Sequence, residues 1–304
     1  MDNIEGKKEF WIYRSVSKCF SDGVSFLTDD FLKLLRLTLP ILLPLAACMA
    51  YVLYSASSVQ TIMDISSVGF LILLAIFLLF VFYTAMESFI YSSVKFKAAG
   101  LDIASIKFRD IYKGVFGLFP KMLLFNVISL LLTAIPVGLV MLPFLIVRDS
   151  VESDIAFYVA TVLAVLAVIV LTVPYNMVLP NIMLGKGGFF KSLFKGYALG
   201  MKKWGKVFAL SLVVTIIVNV VSSLLLSPAL IFSMIQYSAS YSVLNGDAVN
   251  LPDNFGIWAS VILFLSSFMS LILLWLEKMP FVYLYTSFVV DEKNEKESDA
   301  MIGR

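Results

Sequence analysis

The clearest indication of the fold class is an uncharged run of thirty residues, 155–184: IAFYVATVLAVLAVIVLTVPYNMVLPNIML. A helix rises about 1.5 Å per residue, so about 20 apolar residues cross the ~30 Å hydrocarbon layer of a membrane. A run longer than this minimum spans the layer with tilt. The stretch therefore predicts a transmembrane helix.

The composition extends this prediction to the whole chain. Of the 304 residues, 60% are hydrophobic and 14% are charged, whereas soluble domains are about 45–50% apolar and about 25% charged. This excess predicts an integral membrane protein and excludes a nucleic-acid binder. Six runs are long and apolar enough to be spans: 37–54, 68–86, 122–147, 155–184, 207–235 and 257–276.

The basic residues predict the orientation of these spans. Of the 23 Lys and Arg, 22 fall in the two terminal segments and in alternate connections, and Arg148 is the exception. Because cytoplasmic loops carry the excess of Lys and Arg, both termini are expected in the cytoplasm. The predicted organisation is an amphipathic N-terminal segment (1–30), a six-span membrane domain (31–290) and a charged tail (291–304).

The spans read as one unit used three times. Each unit has an amphipathic lead-in segment, an outgoing span and a returning span, and the lead-ins are 26–36, 106–121 and 190–206. The pattern predicts an all-α polytopic protein of three hairpins with cytoplasmic interfacial helices. In the third lead-in, Gly196 and Gly200 form a GxxxG step, which permits close approach of two helices or a close turn onto the fifth span.

The third lead-in also carries a basic stripe. One interpretation is a surface for anionic lipid head groups or for a partner. The other is that these lysines only set topology and anchor the helix. The residues concerned are Lys191, Lys195, Lys202 and Lys206.

Uncharged polar residues recur on faces of the third, fourth and fifth spans. They form either hydrogen bonds that hold the bundle together or the lining of a polar cavity. Glu87 and Glu277 are expected near the cytoplasmic ends of the second and sixth spans, where a carboxylate reaches water or pairs with Lys95 or Lys278. The absence of charge from span centres argues against a proton-coupled pump. The candidate interior residues are Asn126, Thr172, Asn176, Ser211, Thr215 and Asn219.

The sequence offers little for catalysis. It contains no histidine, which excludes imidazole chemistry and His-ligated metals. Cys19 and Cys48 are expected at different depths and form no metal framework. We therefore predict no metal, no cofactor and no enzymatic activity.

Two stretches carry a family resemblance: Phe20-Ser21-Asp22-Gly23, and residues 196–210, GYALGMKKWGKVFAL. Over roughly residues 10–290 the chain resembles bacterial six-span membrane proteins related to the membrane domain of glycerophosphodiester phosphodiesterases. The resemblance implies a six-span fold in a bacterial inner membrane. The catalytic domain of that family has no counterpart here, so no catalytic residue carries over.

These observations predict a non-enzymatic structural or accessory membrane protein that organises lipid or a partner. The expected partners are membrane lipids, another membrane protein or a second copy of the chain. The alternative is a transporter or channel for a small neutral or lipid-like substrate, which the polar faces and the seven span prolines favour. A dry, filled interior would argue against transport.

Overall fold

The computed structural model describes residues 9–57, 65–146, 154–185, 187–246 and 251–302, and this part of the chain is helical without a strand. The helices are α1 (Val16–Asp29), α2 (Phe31–Ala56), α3 (Ile65–Ala98), α4 (Phe108–Ile146), α5 (Asp154–Thr172), α6 (Val178–Leu184), α7 (Phe189–Lys202), α8 (Trp204–Leu244) and α9 (Phe255–Ile302). Short 3-10 helices lie at Ile103–Ser105 and Val173–Met177.

Six helical segments are long and apolar enough to cross a membrane. They are Phe31–Ala56, Gly69–Ala98, Phe108–Leu132, Thr161–Leu184, Trp204–Val243 and Phe255–Asp299. This confirms the predicted all-α polytopic fold with three hairpins: α2 with α3, α4 with the fourth span, and α8 with α9. Arg148, the exception among the basic residues, lies outside the described residues.

Two returning helices are longer than the predicted spans. The predicted second and sixth spans end at residues 86 and 276 because a glutamate follows each of them. In the structure, α3 continues to Ala98 and α9 to Ile302. The residues beyond these carboxylates stay buried, as Tyr91 and Phe288 illustrate. Packing therefore extends both helices past the charges.

The fourth span is broken. Its α-helical geometry changes to a 3-10 turn at Val173–Met177, with Pro174 at the start of the turn. Proline lacks the amide donor of an α-helix, and a 3-10 stretch in mid-helix often marks a hinge. By contrast, Pro40, Pro228 and Pro280 lie inside continuous helices.

The spans form a ring in which each outgoing helix packs between two returning ones. Helix α2 packs against α3 and α9, and α4 packs against α3 and α5. Helix α8 packs against α9 and against the 3-10 turn of the fourth span. The ring order is therefore α2, α3, α4, fourth span, α8, α9.

The lead-in segments reinforce this ring. A glycine in the second and in the third lead-in packs on the returning span of the preceding hairpin: Gly114 of α4 meets Ser92 of α3, and Gly196 of α7 meets Val178 of α6. A Cβ added at Gly196 would lie 2.8 Å from the Val178 Cα, so only glycine fits. The GxxxG step thus provides close approach to the fourth span.

Helix α1 closes the ring between the first and third hairpins. A Cβ at Gly23 would lie 2.9 Å from the Pro280 ring of α9, so the two helices touch at this point. Helix α1 belongs to the first hairpin and α9 to the third. The contact of Gly23 with Pro280 therefore links the third hairpin back to the first, and the glycine contacts between hairpins form a closed cycle.

The segment before α1 is fastened to α9 through Arg14. Its guanidinium binds the Asp22 carboxylate at 2.6 Å and the Phe10 carbonyl at 3.0 Å, and lies 4.8 Å from the Tyr283 ring centre. Its backbone exchanges two hydrogen bonds with the Ser287 hydroxyl, at 2.9 and 3.0 Å. These contacts satisfy a charge that would be costly to bury alone.

We call the end of the bundle that carries α1, α7, Lys95, Lys121 and Lys206 the basic end. The buried core lies in the half of the bundle towards this end, while the other half exposes large apolar side chains such as Phe70 and Leu224. In a membrane, lipid tails cover such surfaces.

Candidate binding cavity inside the helix ring

A cavity of about 580 Å³ lies inside the ring, between α3, α4, the 3-10 turn, α8 and α9. This volume falls within the range of small-molecule sites. Aromatic side chains form much of its wall. They are Phe80, Tyr83, Tyr91, Phe125, Tyr175 and Phe281.

Three charged side chains also line the cavity. Lys278 lies between two carboxylates, with its Nζ 3.2 Å from Glu87 Oε1 and 2.9 Å from Glu277 Oε1. Asn126 donates a hydrogen bond of 2.7 Å to the other oxygen of Glu87 and one of 3.1 Å to the Thr84 hydroxyl. The Glu87 carboxylate, 2% exposed, therefore contacts an ammonium through one oxygen and an amide through the other.

The cavity is deep in the bundle. Glu87 lies eight residues before Lys95 on α3, which is about 12 Å along the helix. Asn219 lies thirteen residues after Lys206 on α8, about 20 Å from the basic end. In a hydrocarbon layer of ~30 Å, the site reaches towards the middle of the membrane.

The break in the fourth span directs its residues into the cavity. Tyr175 and Asn176 of the 3-10 turn both line it, and the Tyr175 ring stacks on Phe125 of α4 at 5.3 Å. Asn176 donates a 3.0 Å hydrogen bond to the Ser211 hydroxyl of α8. The turn therefore joins α4 to α8 across one side of the ring.

Four of the six predicted interior residues line this cavity: Asn126, Asn176, Thr215 and Asn219. The amide of Asn219 donates to the Thr215 carbonyl of its own helix at 2.7 Å. Ser211 lies beside the cavity and binds Asn176. These five residues are brought together as one polar surface.

The sixth predicted residue, Thr172, lies elsewhere. Its hydroxyl donates to the Val168 carbonyl one turn earlier at 2.8 Å, and its side chain is exposed on the outer surface. Shared helical spacing placed Thr172 with Asn176. The change to 3-10 geometry between them rotates the two residues onto different faces.

The predicted basic stripe divides into two pairs. Lys191 and Lys195 are exposed on α7. Lys202 lies 3.8 Å from Glu295 of α9, and Lys206 donates a 3.3 Å hydrogen bond to the Tyr13 hydroxyl. Half of the stripe therefore contacts the protein itself.

A neighbouring lysine that lies outside the stripe makes the stronger link. The Nζ of Lys203 lies 2.9 Å from the Asp291 carboxylate and 3.4 Å from Glu295. Its hydrogen bond to Asp291 raises the pKa of Lys203 above the ordinary value. These contacts connect the junction of α7 and α8, at Lys203, to the part of α9 that lies beyond the predicted sixth span.

Sequence reasoning assigned Glu87, Glu277 and Lys278 to the ends of spans and gave them no role inside the bundle. The signal for a deeper position is the mainly apolar sequence that follows these charged residues. It reads SFIYSSV after Glu87 and MPFVYLYTSFVV after Lys278. Such continuations indicate a helix that runs on with its charge inside.

No group of three His, Cys, Asp or Glu able to hold a metal occurs in the described ranges. Comparison with models of known protein families, with curated proteins and with solved structures finds no match. The resemblance to the membrane domain of glycerophosphodiester phosphodiesterases therefore stays a prediction. The cavity itself is the basis for a functional proposal.

Proposed function

We propose that this protein is a membrane transporter that moves an amphiphilic, lipid-like molecule through the cavity inside its helix ring. The observation that carries the proposal is the coincidence of a polar cavity of about 580 Å³ with a broken span. Transporter sites lie near the bilayer midplane and are typically formed by discontinuous helices.

Ionisable groups at membrane depth support a binding role. Charged side chains within a bilayer are costly, and where they occur they mark substrate or ion pathways. In the Glu87–Lys278–Glu277 cluster, Lys278 and Glu277 are partly exposed towards the cavity, whereas Glu87 is buried behind them. A scaffold that needs only stability gains little from such a cluster, because apolar residues of similar volume serve as well.

The side of the cavity at the fourth span is the entrance we propose for a lipid-like substrate. Helix α8 meets this span at the 3-10 turn, whereas α5 packs mainly against α4. Most of the described side chains of α5, including Leu163 and Leu166, are exposed, while Thr161 and Val168 are half-buried. Lipid would therefore occupy the space between α5 and α8 and reach the polar groups at the turn.

The proposal includes a setting and an orientation. The protein resides in a bacterial inner membrane with both termini in the cytoplasm, so the basic end faces the cytoplasmic leaflet. Lys191 and Lys195, the exposed half of the basic stripe, then lie at the depth of its anionic head groups.

The test is lipid translocation by the purified full chain. It is reconstituted into vesicles of phosphatidylcholine and phosphatidylglycerol that carry a trace of phosphatidylcholine with a nitrobenzoxadiazole dye on one acyl chain, which leaves the cationic head group intact. Dithionite, added outside, destroys the dye of the outer leaflet, so further loss reports movement between leaflets. Thr215→Phe fills the cavity from α8, and Thr172→Phe is the matched control on the outer surface.

We expect vesicles with the parent chain and with Thr172→Phe to lose dye beyond the outer-leaflet share. Vesicles with Thr215→Phe should behave like protein-free vesicles, because a phenyl ring occupies the path. Equal dye loss with and without the parent chain would contradict lipid translocation, and equal loss with both variants would contradict this route.

A further inference from the structure

We infer that the cavity selects a positively charged head group, such as a primary or quaternary amine, and that Glu277 is the carboxylate that receives it. This inference rests on the proposed function, because it names the class of ligand for the same cavity. It is carried by the charge balance, the exposure of Glu277 and the aromatic wall.

The charge of the cavity is negative. Its described lining contains the two carboxylates of Glu87 and Glu277 and the single ammonium of Lys278, which leaves a formal charge of −1. In a medium of low dielectric constant, an uncompensated anion strongly attracts a cation and repels a second anion. An amine head group would neutralise the site.

The two carboxylates are not equivalent. Glu87 is 2% exposed and has both oxygens engaged, one by Lys278 and one by Asn126. Glu277 is 42% exposed and shares Lys278 through one oxygen. Of the two carboxylates in the described lining, Glu277 is therefore the one with capacity for an incoming ammonium group.

The wall beside these charges suits a cation as well. Ring faces of tyrosine and phenylalanine attract ammonium groups, and aromatic sites are widely used for quaternary amines. Tyr83, Tyr91 and Phe281 lie on the same helices as the carboxylates, and Phe125 stacks with Tyr175 opposite them. An aromatic wall beside a net anion is unsuited to a phosphate or carboxylate alone.

The experiment places a cysteine in the cavity of the full chain in lipid nanodiscs. Thr215→Cys is introduced with Cys48→Ala, while Cys19 is kept because burial raises its pKa to about 11, which leaves little reactive thiolate. The probes are aminoethyl methanethiosulfonate, a cation, and sulfonatoethyl methanethiosulfonate, an anion. Each rate is divided by the rate of the same reagent with free 2-mercaptoethanol.

We expect the normalised rate to be about tenfold higher for the cationic reagent, as one net charge in a shielded site produces. Glu277→Gln should abolish most of this preference. Glu297→Gln, on the exposed extension of the same helix, should leave it unchanged. Choline should protect the cysteine better than its uncharged isostere 3,3-dimethylbutan-1-ol, and Glu277→Gln should remove that difference.

Three results separate the inference from the proposed function. Reaction with neither reagent would mean that the cavity is closed to water, which overturns both. Equal normalised rates would leave an open cavity and overturn the charge selectivity. A cation preference that persists in Glu277→Gln would overturn the role of Glu277.

Discussion

The two sides of the helix ring are built differently. On the side of α2, the helices α2, α3 and α9 enclose a residual void of about 10 Å³, lined by Thr38, Leu42 and Trp275 among others. On the side of the fourth span, the helices line a partly open cavity of about 580 Å³. Neighbouring residues of α3 belong to the two sides, since Met86 lines the void and Glu87 lines the cavity.

The three hairpins differ most in their returning spans. The first and third returning spans are continuous helices that pack along α2, whereas the second is broken at Pro174 and packs less closely on its neighbours. Stacked rings fill the space on the closed side, where Phe26 and Trp275 lie 5.8 Å apart. We therefore infer that the α2 side stabilises the bundle and that the fourth-span side provides the binding cavity.

The largest expected effect follows from breaking the buried ion pair between the two sides. Lys278→Met leaves the Glu87 anion without its ammonium partner, and loss of one member of a buried pair costs about 3–5 kcal/mol. Unfolding in detergent micelles should show this loss. Adding Glu87→Gln should recover most of it, because this cluster then contains no buried charge.

The matched control for that prediction is Lys293→Met, which removes an exposed pair with Glu297 on the same helix. Exposed pairs contribute at most about 1 kcal/mol. If Lys278→Met were as mild as this control, the carboxylate of Glu87 would not depend on Lys278.

The next effect sharpens the contrast of packing. Leu42 is 1% exposed on the closed side, so Leu42→Ala should cost about 2–3 kcal/mol through lost contacts and a new cavity. Leu130 lines the large cavity and is 65% exposed, so Leu130→Ala should cost well under that. Equal losses of unfolding free energy would refute the distinction between a filled and an open side.

A smaller loss of stability is expected from crowding the close contact between α7 and the fourth span. Gly200→Ala directs a Cβ against the backbone of Pro174, which has no side-chain freedom to move away. Overpacking of this kind should cost about 1–2 kcal/mol. Gly117→Ala is the control, because nothing lies within 4 Å of its added Cβ, and it should be neutral or slightly stabilising.

The smallest effect concerns the link between Lys203 and Asp291 at the basic end. Lys203→Met should lower the free energy of unfolding by at most about 1 kcal/mol, since both groups are partly exposed. The folded pKa of Lys203 is raised, so its contribution is complete below the ordinary lysine pKa of 10.5 and is lost as the pH rises above that value. Unfolding at pH 8 and pH 11 should therefore show the difference between variant and parent shrink at the higher pH.

The fold was predictable from the sequence because six long apolar runs are separated by polar connections. All but one of the basic residues fall in the two terminal segments and in every second connection. Part of the cavity was also predictable, since Asn126, Asn176, Thr215 and Asn219 each belong to a polar face of their own span. Thr172 does not join them because the 3-10 turn rotates it away, and a proline does not by itself specify such a turn.

The charged part of the cavity was harder to predict. A rule that ends a span at its first charge places Glu87 and Glu277 at the surface, whereas packing in this bundle carries α3 and α9 beyond them. The closure of the ring by Gly23 on Pro280 joins residues 257 positions apart, which no local pattern reveals.

The most direct test of the two-sided ring compares the same substitution on each side. Thr38→Cys lies on the closed side and Thr215→Cys in the cavity, and both are treated with a water-soluble methanethiosulfonate reagent in nanodiscs. We expect Thr215→Cys to react roughly a hundredfold faster, equivalent to a barrier difference of about 2.7 kcal/mol. Equal rates at the two positions would contradict a ring that is filled on one side and open to a ligand on the other.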